Sequence, residues 1–176
     1  LFEDRAGQVH PPERSDEILA VVPQVVDELP QLVRSIFGEL PAEIPEPALR
    51  LWESCFWSFR ADATYRRVAL GLLREEPFDL FAVYFGGSDV IAHRFWRFMA
   101  PELYDHPPTE AELALFGDVI ADYYVYLDEA LGELLAAAPP DSNVLVMSDH
   151  GMVAQHRSRR FDAGARPRQL LSAGHE

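Results

Sequence analysis

The chain contains no lysine, a single cysteine and few basic residues for its length. Its 176 residues include 15 basic side chains, all of them Arg, against 29 Asp and Glu, so the formal net charge is −14. A field of that sign repels nucleic acid, and we therefore expect no nucleic-acid-binding surface. The lone Cys55 excludes an internal disulfide. Its neighbours Trp52, Phe56 and Trp57 favour a small buried apolar side chain over a nucleophile.

Long hydrophobic runs are also absent, and so is a basic segment followed by an apolar leader at the start. No run approaches the roughly 18 apolar residues of a membrane span, so the sequence predicts no membrane segment. The chain begins with Leu1 instead of Met. We therefore expect the native N-terminal part of the protein to lie upstream. The compartment therefore stays unknown, and the cytoplasm is only slightly favoured because no leader is visible.

Hydrophobic residues at 48% and charged residues at 25% are typical of a globular domain. The length fits one domain over residues 1–176. Within it, residues 1–78 carry mostly helical patterns, and residues 79–176 carry the short polar motifs described below. From 48 to 75 the apolar residues recur at steps of three and four, which predicts a helix.

Two short apolar runs break this helical pattern. Residues 80–85 end at a Gly-Gly pair, and residues 143–148 follow a Pro-Pro pair. Their length and their β-branched and aromatic content favour buried strands. Helices are predicted between them, at 88–99 and from a capping box at Thr109 and Glu112. Strands that bracket helices form parallel crossovers. The predicted fold class is therefore α/β, a three-layer αβα arrangement with a largely parallel sheet.

Carboxylate and imidazole side chains follow both predicted strands. Asp89 and His93 come after the first, Asp149 and His150 come after the second, and His175 follows a small-residue loop. Ligands of parallel α/β sheets bind outside the carboxyl ends of the strands. Two carboxylates and three imidazoles there are a plausible ligand set for a metal centre with hydrolytic chemistry.

The spacing of the first motif strengthens this interpretation. If Ser88 caps the helix, Asp89 and His93 lie on one face, where they can chelate one ion. Each residue also has a structural explanation. Asp89 suits the first turn of a helix, His93 suits a half-buried core position, and Asp149 suits a turn at a strand end.

These motifs resemble those of a known family. The segment 148–152, S-D-H-G-M, resembles the Asp-His-Gly motif of the alkaline phosphatase superfamily. The segment from Tyr84 to His93 resembles the Asp-x-x-x-His motif of its type I phosphodiesterase/nucleotide pyrophosphatase (phosphohydrolase/phosphomutase-like) branch. The segment 172–175, S-A-G-H, resembles the last Gly-x-His element. The resemblance implies an alkaline-phosphatase-like fold, of which this chain supplies an incomplete, carboxyl-side part.

The resemblance also implies two divalent metal ions, zinc or else manganese. Asp89, His93 and His175 would hold one ion, and Asp149 and His150 the other. Members of the family complete the second site with an upstream Asp and a Ser or Thr nucleophile. Residues 1–60 offer neither, so no catalytic nucleophile is assigned to this chain. The N-terminal part of the same protein is then expected to supply it, and the chain alone is expected to lack turnover.

The implied function of the parent protein is metal-dependent hydrolysis of phosphate monoesters or diesters, with a small phosphate ester as substrate. Arg157, Arg159 and Arg160 are candidate phosphate-binding residues, because guanidinium groups bind phosphate through paired hydrogen bonds. A solvated loop that pairs with surface acids is the alternative for them. Two other functions stay open: a sulfatase or phosphomutase of the same family, and a non-catalytic binding or scaffolding domain.

Overall fold

The computed structural model describes residues 9–39, 41 and 43–154. This part of the chain contains six α-helices and two single turns of 3-10 helix, at Pro12–Arg14 and Pro101–Leu103. The α-helices are α1 (Ser15–Leu19), α2 (Val21–Phe37), α3 (Glu46–Glu75), α4 (Gly87–Met99), α5 (Glu110–Phe116) and α6 (Val119–Ala137). The long helix α3 packs against α2, α4 and α6, and α4 also packs against α6.

The helices begin and end where the sequence provides the local signals. Helix α3 carries Pro47 in its first turn, where the missing N–H costs nothing, and it ends at Glu75, two residues before Pro77. This confirms the predicted helix over 48–75. Helix α4 ends at Met99, in agreement with the predicted end before Pro101.

The capping box at the start of α5 is confirmed. The Glu112 N–H donates to the Thr109 hydroxyl at 3.3 Å, and the Thr109 N–H donates to the Glu112 carboxylate at 2.8 Å. The sequence predicts a single helix from this capping box. The chain forms two helices there, because α5 ends at Phe116 and α6 begins at Val119 after Gly117 and Asp118.

Aromatic side chains from five helices form the core. Phe37 of α2 makes edge contacts with Phe59 of α3, Phe95 of α4 and Phe116 of α5, at ring-centroid distances of 5.6, 5.8 and 6.4 Å. Tyr123 of α6 packs on Phe59 at 5.4 Å. Edge-to-face pairs of this kind add to the stabilisation from apolar burial. The core therefore ties α4 firmly to the rest of the bundle.

Cys55 lies inside this core, as predicted. Its side chain is fully buried, and its thiol lies 2.9 Å from the Trp52 carbonyl oxygen. Burial raises the pKa of the Cys55 thiol to about 12, so the thiolate that a nucleophile requires is not populated at neutral pH.

The predicted three-layer α/β fold with a parallel sheet is wrong for the described residues. They contain no strand, and both apolar runs lie outside any regular element. We name residues 80–85 the first apolar segment and residues 143–148 the second apolar segment. Leu80, Tyr84 and Leu145 are exposed instead of buried. A β-strand requires the backbone of a neighbouring strand, and neither segment has such a neighbour within the described ranges.

The first apolar segment is nevertheless anchored on one side. Phe81 and Phe85 pack against a small cluster formed by Ala69, Leu70 and Leu134. This contact holds the segment against α3 and α6 and leads the chain into α4. In the part of the chain that the structure describes, no helix combines the length and the apolar composition needed to cross a bilayer.

Candidate metal centre

Helix α4 brings the residues of the first motif together. The Asp89 Oδ1 and His93 Nε2 atoms are 3.4 Å apart, one helical turn from each other. Ser88, which the sequence offers as a possible N-cap, does not cap the helix. Gly87 is the first helical residue, and Gly86 precedes it without a side-chain cap.

The second motif lies against the first. His150 Nε2 is 3.8 Å from Asp89 Oδ1 and also 3.8 Å from Asp149 Oδ1. Residues more than 55 positions apart in the sequence therefore meet around one imidazole. The Asp149 side chain is 90% exposed, so its carboxylate faces solvent at the rim of this group.

The His150 ring is oriented by the backbone of the next residue. Its Nδ1 lies 3.0 Å from the Gly151 carbonyl oxygen, which can only accept a hydrogen bond, so a neutral ring carries its proton on Nδ1. The lone pair is then on Nε2, the atom nearest the two carboxylates. Metal-binding histidines use this arrangement, in which the other ring nitrogen donates to a carbonyl. The Ser148 hydroxyl donates to the His150 carbonyl at 2.6 Å and stabilises the turn.

These contacts also affect protonation. The hydrogen bond to the Gly151 carbonyl and the nearby Asp149 carboxylate raise the pKa of His150 above its ordinary value. Asp89 contributes in the same direction. The neighbouring groups of His150 therefore favour the protonated form of its ring.

Asp89 Oδ1 offers a direct test of whether the residues fit a metal ion. The atom is shielded from solvent and has no hydrogen-bond partner among the residues that the structure describes. Ligands about 2.1 Å from a tetrahedral ion lie about 3.4 Å from each other. The separations of Asp89 Oδ1 from His93 Nε2 and His150 Nε2, 3.4 and 3.8 Å, are close to that value. Each of these two separations, taken pair by pair, fits the spacing of two ligands of one cation.

Two pairs of side chains have the separation of metal ligands, Asp89 with His93 and Asp89 with His150. In residues 9–39, 41 and 43–154, no group of three or more Asp, Glu, His or Cys side chains is arranged so that it could hold a metal ion. The fifth predicted ligand, His175, lies outside the described residues, as do Arg157, Arg159 and Arg160.

A shallow cleft lies next to the predicted ligands. Its volume is about 200 Å³, and its walls include His93, Arg94, Arg97 and Met152. Arg94 donates to the Ser54 hydroxyl at 2.8 Å, so its guanidinium is held against α3. The cleft therefore places two positive charges beside His93, and the contact with Ser54 holds that of Arg94 in position.

One group of hydrogen-bonded polar residues that lies next to the site was not predicted from the sequence. Asp62 of α3 is almost completely buried and accepts hydrogen bonds from the Gly86 N–H, the Gly87 N–H and the Tyr123 hydroxyl. The signal was available: Asp62 is an acid between the apolar core residues Phe59 and Ala63 of a helix. Buried acids are rare unless they are paired.

Burial governs the protonation of this group. It raises the pKa of Asp62, and the three hydrogen bonds oppose that rise. Burial also raises the pKa of Tyr123, and the adjacent Asp62 adds to this effect, so the tyrosine stays a hydroxyl donor. Asp62 belongs to α3 and lies beside the first turn of α4, where its hydrogen bonds go to Gly86 and Gly87.

Comparisons with known proteins give one result. No curated protein and no solved structure matches the chain. A sequence model described as type I phosphodiesterase/nucleotide pyrophosphatase matches residues 8–170, which is most of the chain. That range includes both carboxylate–histidine motifs. The chain belongs to the type I phosphodiesterase/nucleotide pyrophosphatase family, a family of phosphate-ester hydrolases.

Proposed function

We propose that this chain carries the metal-binding residues of an enzyme that hydrolyses phosphate monoesters or diesters. Family membership supports phosphate-ester hydrolysis in general. The observation that carries the proposal is the position of Asp89, whose shielded oxygen lies between imidazoles from two separate motifs. The proposed ligands are Asp89, His93, Asp149, His150 and His175, and the proposed ions are zinc or manganese.

The donor chemistry supports these ions. Carboxylate oxygens combined with imidazole nitrogens suit zinc and manganese, whereas calcium and magnesium prefer oxygen ligands alone. A divalent cation bound there would supply a Lewis acid for a phosphoryl oxygen. Asp89 and Asp149 supply carboxylate oxygens, and in the neutral form of His150 the bond from Nδ1 to Gly151 leaves the lone pair on Nε2. Arg94 and Arg97 line the adjacent cleft, where an anionic ester can be oriented.

The experiment that tests the proposal is a measurement of metal binding. Zinc and manganese are titrated calorimetrically into the metal-free chain and into Asp89→Ala and His150→Ala. We expect the wild type to bind and each variant to lose at least about tenfold in affinity, because each loses a ligand. His106→Ala is the matched control, since it removes an exposed imidazole from a loop outside the site.

Two outcomes would contradict the proposal. One is a wild-type chain that binds neither ion, and the other is a pair of variants that bind as tightly as the wild type. The absence of a nucleophile from this chain stays a prediction, and metal binding tests the ligands without requiring turnover. Zinc-dependent cleavage of an aryl phosphate diester by the chain would support hydrolysis and would contradict that prediction. Binding without cleavage by the whole protein would favour the non-catalytic alternative.

A further inference from the structure

Asp62 is surrounded by three hydrogen-bond donors from two different parts of the chain. Its Oδ1 accepts from the Gly86 N–H at 3.1 Å, and its Oδ2 accepts from the Gly87 N–H at 3.0 Å and from the Tyr123 hydroxyl at 2.7 Å. The carboxylate therefore bridges α6 and the turn that opens α4. All of these groups lie at the end of α4 that carries Asp89.

The start of α4 depends on this bridge. The first N–H groups of a helix have no partner within the helix, and a side chain at the N-cap position usually accepts from them. Gly86 occupies that position in α4 and has no side chain. Asp62 supplies the missing acceptor from another helix. Its negative charge also suits the positive end of the α4 dipole.

The contact leaves no room for a side chain at Gly87. An added Cβ would lie 1.8 Å from the Tyr123 Oη and 2.6 Å from Asp62 Oδ2. The backbone of the turn therefore rests directly on the polar ends of Asp62 and Tyr123. Such close contact fixes the height and direction at which α4 begins, two residues before Asp89.

We propose that Asp62 and Tyr123 are positioning residues, which set the metal affinity of the site by fixing the turn from which Asp89 and His93 project. This inference rests on the proposed function, since it requires that Asp89 and His93 bind a metal ion. Hydrogen-bonded groups behind the ligands of a metal typically change its affinity by about 10- to 100-fold when they are replaced.

The test compares two hydroxyl deletions on the same helix. Tyr123→Phe removes the donor to Asp62 and keeps the ring in the core. Tyr126→Phe is the matched control, because Tyr126 is also buried on α6 and its hydroxyl has no hydrogen-bond partner in the described part of the chain. Asp62→Asn is the stronger variant, since an amide nitrogen cannot accept from the Gly N–H that it would face.

Cobalt(II) is the probe, because the intensity and position of its visible bands report the geometry of its ligands while a titration gives the affinity. We expect Tyr123→Phe and Asp62→Asn to bind cobalt about 10- to 100-fold more weakly than the wild type, with altered bands. Tyr126→Phe should match the wild type in both. Circular dichroism on the same samples, at a temperature where every variant is folded, separates positioning from unfolding.

The results separate this inference from the proposed function. If the wild type, Tyr123→Phe and Asp62→Asn bind cobalt with equal affinity and identical bands, the positioning role is overturned and the proposed function stands. If Tyr126→Phe weakens binding as much as Tyr123→Phe, the effect belongs to core packing, and the positioning role is again overturned. If the wild type fails to bind cobalt, the proposed function is overturned and the positioning role with it.

Discussion

At the scale of single residues, Asp62 combines features that oppose each other. Its side chain is almost fully buried, which disfavours the charged form, yet three donors point at its two oxygens, which favours it. The balance raises the pKa of Asp62 above its ordinary value of 3.8, with burial as the main cause. A raised pKa means that the folded chain binds this proton more tightly than the unfolded chain does.

This shift predicts how stability depends on pH. A group whose pKa rises on folding contributes stability that is complete below its ordinary pKa and is lost as the pH rises through the higher value. We therefore expect the wild-type free energy of unfolding, relative to that of Asp62→Asn, to fall as the pH rises from about 4 towards neutrality. Urea denaturation of both proteins across this range measures the difference. A difference that grows with pH would show that the ionised carboxylate is the form the fold prefers.

At the scale of elements, the two glycines Gly87 and Gly132 should respond in opposite ways to the same substitution. Gly132 lies within α6, and no atom of the described residues lies within 4 Å of its missing Cβ, so Gly132→Ala should stabilise the protein by about 0.5–1 kcal/mol. Gly87→Ala should destabilise it by about 1–3 kcal/mol, because the methyl group collides with Tyr123 and Asp62. Thermal unfolding of the two variants tests the pair. Equal shifts in Tm would contradict the close contact at Gly87.

The capping box of α5 predicts a second pH dependence, with the opposite sign. Its hydrogen bonds from Thr109 lower the pKa of Glu112. Stability from such a group is present above its ordinary pKa and is lost as the pH falls through the lower value. Glu112→Gln should therefore lower Tm at neutral pH and cease to do so in acid, where wild-type Glu112 is also uncharged. Glu110→Gln, in the same first turn but outside the box, is the control. An effect of Glu112→Gln that persists in acid would contradict the prediction.

Helices were predictable from the sequence because their signals are local. The prolines at 47, 77 and 101 set the ends of α3 and α4, and the Thr109–Glu112 pair set the start of α5. The two predicted strands are wrong because strand formation does not depend on local signals alone. A short apolar run becomes a strand only when another strand lies beside it, and neither apolar segment has that neighbour in the described ranges.

In the candidate site, too, the local contacts were predictable from the sequence and the long-range contacts were not. The i, i+4 spacing of Asp89 and His93 follows from helical geometry alone, and the structure gives 3.4 Å between their side chains. The approach of His150 to Asp89 was expected from a sheet and occurs without one. The helical pattern around Asp62 indicates a buried acid, but its partners Gly86, Gly87 and Tyr123 could not be assigned from the sequence, because they are 24 to 61 positions away.

At the scale of the whole molecule, apolar surface is distributed unevenly. The helices bury one continuous aromatic core, whereas the second apolar segment leaves Leu145 and Met147 each 79% exposed. Val144 and Val146 are exposed as well. Within the described ranges, this segment makes no backbone–backbone hydrogen bond. An exposed apolar run of this kind favours contact with another chain.

We therefore expect the purified chain to self-associate through the second apolar segment as its concentration rises. A second copy presents the same apolar side chains and the same unpaired backbone groups, so it can pair with the segment. Leu145→Lys places a charge in that contact and should shift the population towards monomer, because burying an unpaired ammonium group is costly. Val125→Lys is the control, since Val125 is exposed on α6, where the helix satisfies the backbone. Light scattering during gel filtration measures the mass of each. Equal association of the wild type and Leu145→Lys would show that the segment is not the contact surface.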